Sequence, residues 1–289
     1  MISFRYHLVS IAAVLLALAA GVALGSGPLD DNSVLSGDSA SGTSADPAIA
    51  RFESGYAART SGALLKDALK GRSVVVMTLP GARAEETKDI RADIEKAGAD
   101  VTGEVQLTSK LVDPANRQFA EGVAQQSASD VEGVTDAGES YGRIGAALGR
   151  AVLGDSGEDL DSTATTISSA FVEGKLLTNS TKPEKFATLA VIVSGPGRAG
   201  DSGSVAAQLS KAIDGAGGGA VLAGPSTSSQ DGGVLAELRD SDAASQVSTV
   251  DVTDTAAGRV VVALALAREA KGQSGSWGTS RSADGPLPR

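Results

Sequence analysis

An unbroken stretch without a charged residue, residues 8–29 (LVSIAAVLLALAAGVALGSGPL), constrains this chain more than any other feature. At about 1.5 Å of rise per residue, a helix of roughly 20 residues spans the hydrocarbon layer of a bilayer, so the run is just long enough. A helix buried in a soluble core needs no such length of uncharged residues. Arg5 and the amino terminus stand before the run, and Asp30 and Asp31 follow it. The positive-inside rule then places residues 1–7 in the cytoplasm and everything after residue 30 outside. Residues 8–27 are expected to form a single transmembrane helix, an anchor or uncleaved signal in the cell membrane. The alternative is a cleaved secretory signal, because Ala23-Leu24-Gly25 puts small residues where signal peptidase cuts. Both readings export the remainder.

Topology sharpens what the composition excludes. The 289 residues include no cysteine, one histidine and two methionines. Without cysteine there are no disulfides, thiol nucleophiles, zinc ribbons or iron-sulfur clusters. His7 precedes the apolar run, so it is an interfacial residue or is lost with a signal. Charge-relay hydrolysis and histidine metal centres, which need an imidazole in the exported part, are excluded. Thirty-five acidic against 25 basic residues give a formal charge of −10 and a pI near 4.7. Such a surface repels phosphate backbones, and no nucleic-acid partner is expected.

Residues 28–47 are rich in Ser, Gly and Asp and read as a flexible linker. Beyond them, Ile49, Phe52 and Tyr56 have i, i+3, i+7 spacing, which predicts a short amphipathic helix packed on the domain; a partner-binding helix is the alternative. Residues 73–79 (SVVVMTL) form a continuous β-branched run, as in a strand buried on both faces of a parallel sheet. A helix is predicted over 85–97, a weaker strand over 99–107 and a mainly helical stretch over 114–177. Its apolar stripes are Ile144, Ala147, Leu148 and Ala151, then Ile167, Phe171 and Leu176. Further strands fall at 189–194, 220–223 and 247–252, with helices over 204–213 and about 234–239. The last helix, over 256–271, contains VVVALALA, too short to span a bilayer and better suited to a core. Alternating units of this kind predict an α/β fold: a Rossmann-like, mostly parallel sheet flanked by helices and joined by right-handed crossovers. The expected organisation is an extracytoplasmic domain over 48–271 and a C-terminal tail over 272–289.

Three blocks carry a family resemblance: the opening MISFRYHLVSIAAVLLALAAGVALGSG, GRSVVVMTLPGA at 71–82, and AAGRVVVALALAREAKGQSGSWGTSRSADGPLP at 256–288. In order and spacing the chain resembles the actinobacterial copper transporter family of mycobacterial copper transport protein B. The resemblance implies one membrane-spanning segment, an envelope-side α/β domain and a role in copper export or homeostasis. Relatives usually carry a charged coiled coil just after the membrane helix; here the Ser/Gly-rich linker stands in its place.

The segments that suggest chemistry are individually weak. Gly195-Pro196-Gly197-Arg198-Ala199-Gly200 matches the dinucleotide-binding pattern G-x-G-x-x-G between a strand and a helix. Pro196 removes an amide donor, and the acidic residue expected about 20 positions later is missing, so a structural turn is expected. Gly-Asp-Ser-Gly occurs at 154–157 and 200–203, as around a protease nucleophile, but no histidine base accompanies it. Lys175 and Lys211 are conceivable bases without a Ser-x-x-Lys pattern; turn and helix-cap formation is the preferred role. Asp155, Glu158, Asp159 and Asp161 lack the alternation of a calcium loop and should cap the following helix. Cu(I) prefers thiolate and thioether and Cu(II) imidazole; the exported side offers only Met77, in a predicted buried strand. Trp277, the only tryptophan, should pack on the domain and fasten the tail, or else anchor a partner.

No catalytic, cofactor-binding or metal-binding residue is assigned, and an enzyme is not expected. The primary expectation is a membrane-anchored envelope protein of copper transport or homeostasis without its own copper ligands. The alternative is a non-enzymatic scaffold. The expected partners are the membrane, through the N-terminal helix, and another envelope or division protein.

Overall fold

The computed structural model describes residues 47–288, Ser156 excepted. The expected anchor at 8–27 and most of the linker lie outside the described residues. No helix among the described residues is long and apolar enough to cross a membrane.

The elements, in chain order, are α1 (Pro47–Leu65), β1 (Ser73–Thr78), α2 (Ala84–Lys96), β2 (Asp100–Leu107), α3 (Ser109–Val112), α4 (Arg117–Ser127), α5 (Glu132–Thr135), α6 (Ser140–Val152), α7 (Ser162–Glu173), β3 (Leu177–Thr181), β4 (Leu189–Val193), α8 (Ser202–Asp214), β5 (Ala220–Ala223), α9 (Val234–Arg239), β6 (Ser248–Val250), α10 (Ala256–Glu269) and β7 (Ser276–Trp277). The seven strands form one sheet in the order β3-β2-β1-β4-β5-β6-β7. All neighbours are parallel except the antiparallel pair β2 and β3. The α/β, mostly parallel sheet flanked by helices is thus observed.

The two continuous apolar runs explain the layering. Val75 and Met77 of β1, with Ala190 and Ile192 of β4, enter a core under α4, α6, α7, α8 and α9. The alternate residues Val74, Val76, Leu189, Val191 and Val193 enter a second core with Leu65 of α1, Ile90 and Ile94 of α2, and most of α10. Side chains alternate across a strand, so a strand covered on both sides must be apolar at every position. The VVVALALA segment is the core helix expected: Val260 to Ala263, Ala265 and Leu266 are all buried.

Two strands escaped the sequence. β3 (LTNST) buries only its first residue, and β7 is two residues long. The expected right-handed crossovers also meet an exception. α8 and α9 contribute to one core, whereas α10 contributes to the other, yet β5, β6 and β7 succeed one another in a single direction across the sheet. The β6-α10-β7 connection therefore has the opposite hand to the two before it, a rare arrangement. Side-chain contacts hold β7 in that place.

Arg239, at the end of α9, and Asp251, just after β6, form a buried ion pair at 2.7 Å, with side chains 3% and 0% exposed. Asp251 accepts the Thr279 amide at 2.7 Å and the Ser280 hydroxyl at 2.7 Å, while the Arg239 Nε donates to Thr249 Oγ1 at 2.8 Å. Gly278 lies against this carboxylate at φ +138°, where a Cβ would run into the Asp251 oxygens. Burial pushes the Asp251 carboxyl up, but hydrogen bonds from Ser280 and Thr279 and the Arg239 guanidinium outweigh it and hold it below its usual value. Trp277 is buried in the second core, so it fastens the tail as expected.

Candidate functional site

Open α/β sheets bind ligands outside the carboxyl ends of their strands, where the strand order reverses. Here that point lies between β1 and β4, and the chain's own backbone fills it. The Leu79 amide extends the β1-β4 pairing by donating to the Val193 carbonyl at 2.8 Å. Beyond it, Gly195 sits so close to Gly81 that a Cβ would overlap the Gly81 carbonyl. The Gly197 amide, one of the donors a pyrophosphate would use, donates instead to Thr227 Oγ1 at 3.2 Å. The glycine segment is a structural turn, as the sequence suggested. Beside it remains a cleft of about 350 Å³ lined by Leu79, Pro80, Asp113, Arg198, Ser202 and Val234. The Asp113 carboxylate is engaged with the Ala115 amide and the Asn116 side chain.

Ser156 of the first Gly-Asp-Ser-Gly segment lies outside the described residues, and the second segment holds no nucleophile arrangement among the described ones. Ser202 begins α8 and Lys211 stands nine residues later in the same helix, about 13 Å along its axis. Lys211 pairs with Asp242, and Lys175 is exposed in a turn at φ 57°. Asp201 precedes α8 without a side-chain capping bond, so the expected cap is absent there. In the acidic cluster the capping role is observed: Asp161 accepts the Ala164 amide of α7 at 2.7 Å and pairs with Arg150. Hydrogen bonds from Arg150 and Ala164 hold its carboxyl below the usual value.

No group of three or more His, Cys, Asp or Glu residues able to hold a metal occurs among the described residues. Met77 is 1% exposed inside the first core. Its thioether meets hydrocarbon, not a cleft that an ion could enter.

A groove of about 920 Å³ runs between α6, α8 and α9 over a floor that includes Val134, Ala146, Ala207 and Ala212. Its two basic rim residues, Arg150 and Lys211, already pair with Asp161 and Asp242.

At the amino ends of β5 and β6 stand two carboxyls that sequence reasoning did not single out. Glu269 Oε1 accepts the Ser248 amide at 2.9 Å, and Asp214 Oδ1 accepts the Ala220 amide at 2.7 Å. Burial pushes Asp214 up to about 6. Burial, with the Asp214 charge added, pushes Glu269 up to about 7. Neither carboxyl lines the cleft or the groove, so neither is presented to a ligand there.

The remaining feature is the outer face of α1. The predicted helix forms, but its stripe does not pack on the domain: Ile49, Phe52 and Tyr56 are 64%, 74% and 63% exposed. Ala57, Ser61 and Leu65 are buried instead. Small residues allow α1 to lie close to α10, and Glu53 ties the two together by accepting the Ala257 amide at 2.7 Å.

Comparison with known proteins agrees with the resemblance seen in the sequence. The copper transporter MctB of Mycobacterium tuberculosis (strain ATCC 25618 / H37Rv) is 30% identical over 292 residues, covering 92% of each chain. The copper transporter MctB of Mycobacterium leprae (strain TN) is 29% identical over 295 residues with the same coverage. The profile of the family described as "Copper transport outer membrane protein, MctB" matches residues 1–288, and this chain belongs to that family.

Proposed function

We propose that the chain is a membrane-anchored envelope component of copper transport or homeostasis that acts through contacts with another envelope protein and holds no copper on ligands of its own. The match of the family profile over residues 1–288 carries the copper role. The donor set supports the restriction: beyond residue 7 the sequence has no cysteine or histidine and one methionine, Met77, whose sulfur is buried. Cu(I) prefers thiolate and thioether donors, and Cu(II) favours imidazole with supporting nitrogen or oxygen ligands. Copper is cargo in this reading, and the described domain is not its pore. An open sheet covered by helices on both faces differs from the closed sheet of alternating strands that forms a membrane channel.

The experiment is deletion of the gene, scored for copper tolerance. Greater copper sensitivity, restored by the wild-type gene, supports the proposal; unchanged tolerance ends the copper reading. A second reading, a cell-wall or division scaffold without a copper role, is favoured by the groove of about 920 Å³ between α6, α8 and α9, which is large enough to take a segment of a partner protein. It predicts a division or envelope defect in the same deletion strain with copper tolerance intact.

A further inference from the structure

The outer face of α1 concentrates uncovered apolar surface. Four of the seven large hydrophobic residues exposed among the described ones, Ile49, Phe52, Tyr56 and Leu64, come from this helix. Ile49, Phe52 and Tyr56 share one stripe, and the Phe52 and Tyr56 rings stack with centroids 6.4 Å apart. The charges of α1 are sorted: Glu53 is turned onto the start of α10, leaving Arg51 and Arg59 exposed on a chain whose formal charge is −10. By helical period Arg59 borders the stripe. Residues 30–46 alone separate α1 from the uncharged run at 8–29. Even fully extended, at about 3.5 Å per residue, they reach roughly 60 Å.

From this combination we infer that the outer face of α1 seats on a lipid bilayer surface, with Ile49, Phe52 and Tyr56 entering the boundary between headgroups and acyl chains and Arg59 at the level of the headgroups. Aromatic residues on an exposed apolar stripe suit the layer between headgroups and acyl chains, where an amphipathic ring has one end apolar and the other wet. A bilayer fits this face better than a second copy of the chain. A stable protein pair buries about 1,200 Å² or more in total, which one three-residue stripe does not supply. A surface next to a tether needs far less intrinsic affinity, because the tether supplies an effective concentration in the millimolar range. The inference rests on the retained anchor of the proposed function.

The test uses the full chain reconstituted into vesicles of phosphatidylcholine and phosphatidylglycerol. The chain contains no cysteine, so Ala63→Cys, one heptad after Tyr56, places a single environment-sensitive fluorophore on the stripe. Ser129→Cys, just beyond α4 and on the opposite side of the sheet, supplies the reference. Lipids carrying a spin label in the acyl chain should quench the probe at 63 at least about five-fold more than the probe at 129. Replacing Ile49, Phe52 and Tyr56 by serine should bring the two to the same level. These side chains are exposed, so the fold is not at stake. Equal weak quenching at both positions, in vesicles that retain the chain through alkaline carbonate, overturns the inference while leaving the anchor standing. Efficient disulfide formation between two copies of the unlabelled Ala63→Cys variant, without lipid quenching, assigns the face to a second copy and also overturns it. Release of the chain by carbonate ends the anchor reading, and the inference with it.

Discussion

Replacing Asp251 by asparagine tests the physical account of the C-terminal latch. The substitution keeps the size and one acceptor oxygen but removes the charge facing Arg239, whose side chain is 3% exposed. Removing one partner of a buried pair leaves an uncompensated charge and costs about 3–5 kcal/mol. An amide also sets its own donor against the Arg239 guanidinium or against the Ser280 and Thr279 donors that the carboxylate now accepts. For a domain of this size each kcal/mol moves the thermal midpoint by about 2–4 °C, so a drop of roughly 6–20 °C is expected. Trp277 reports the local consequence, because it is the only tryptophan and its carbonyl pairs with the Asp251 amide at 3.1 Å. Its emission should shift to the red as β7 leaves the sheet edge. The assay is thermal unfolding of the full chain in mild detergent, followed by tryptophan emission and by amide exchange over residues 275–285. Arg239→Met combined with Asp251→Leu should lose less stability than Asp251→Asn alone, since an apolar pair strands no charge. A midpoint within about 2 °C of wild type for Asp251→Asn, with unchanged emission, would refute the assignment of β7 to this latch.

Glu269→Gln should act oppositely, and with pH. Burial raises the Glu269 carboxyl to about 7 in the folded chain. Its favourable contribution is therefore complete below the unfolded value near 4.5 and is lost as pH rises through 7. Glutamine keeps an acceptor for the Ser248 amide and carries no charge, so the variant should be more stable than wild type at pH 8 by up to about 3 kcal/mol and close to it at pH 4. A pH-independent difference contradicts this. Asp251 has the reverse sign: its lowered carboxyl contributes stability above its unfolded value, and this is lost as pH falls through its folded value, seen as release of Trp277 in strong acid. Gly195→Ala should destabilise by about 1–3 kcal/mol or more, because the Gly81 backbone must shift; calorimetry checks this. NAD and ATP at millimolar concentration should leave the thermal midpoint unchanged, because Thr227 and Gly81 already occupy the places a pyrophosphate needs.

Sequence patterns announce the parts of this fold whose cause is local. β1 and β4 show themselves because both faces are covered, and α10 because eight apolar residues in succession have no exposed side. Asp161 shows itself as a cap because the bond it makes reaches three residues along the chain. The missed parts depend on distant partners. β7 is Ser-Trp with no alternation, and it exists because Asp251, more than 20 residues earlier, binds the turn behind it. Arg239 and Asp251 are twelve residues apart in no recognised spacing, so their pairing is visible only once α9 and β6 are in place. The stripe on α1 has the period expected of it and faces the other way. Periodicity identifies an apolar face but not whether something covers it, and the small residues Ala57 and Ser61 give a weaker signal for the buried face than Phe52 and Tyr56 give for the exposed one. The glycine turn at 195–200 is legible as structural because Pro196 already breaks the donor pattern.

The central claim is a copper role without copper ligands, and cell-associated copper in the deletion strain complemented with Met77→Leu tests it most directly. Leucine preserves the volume of the buried side chain at a cost below about 1.5 kcal/mol while removing the only thioether beyond residue 1. The account predicts copper levels equal to those with the wild-type gene and lower than those with empty vector. Levels equal to empty vector would make Met77 a ligand and contradict the account, and wild-type complementation that leaves copper unchanged would remove the copper role itself.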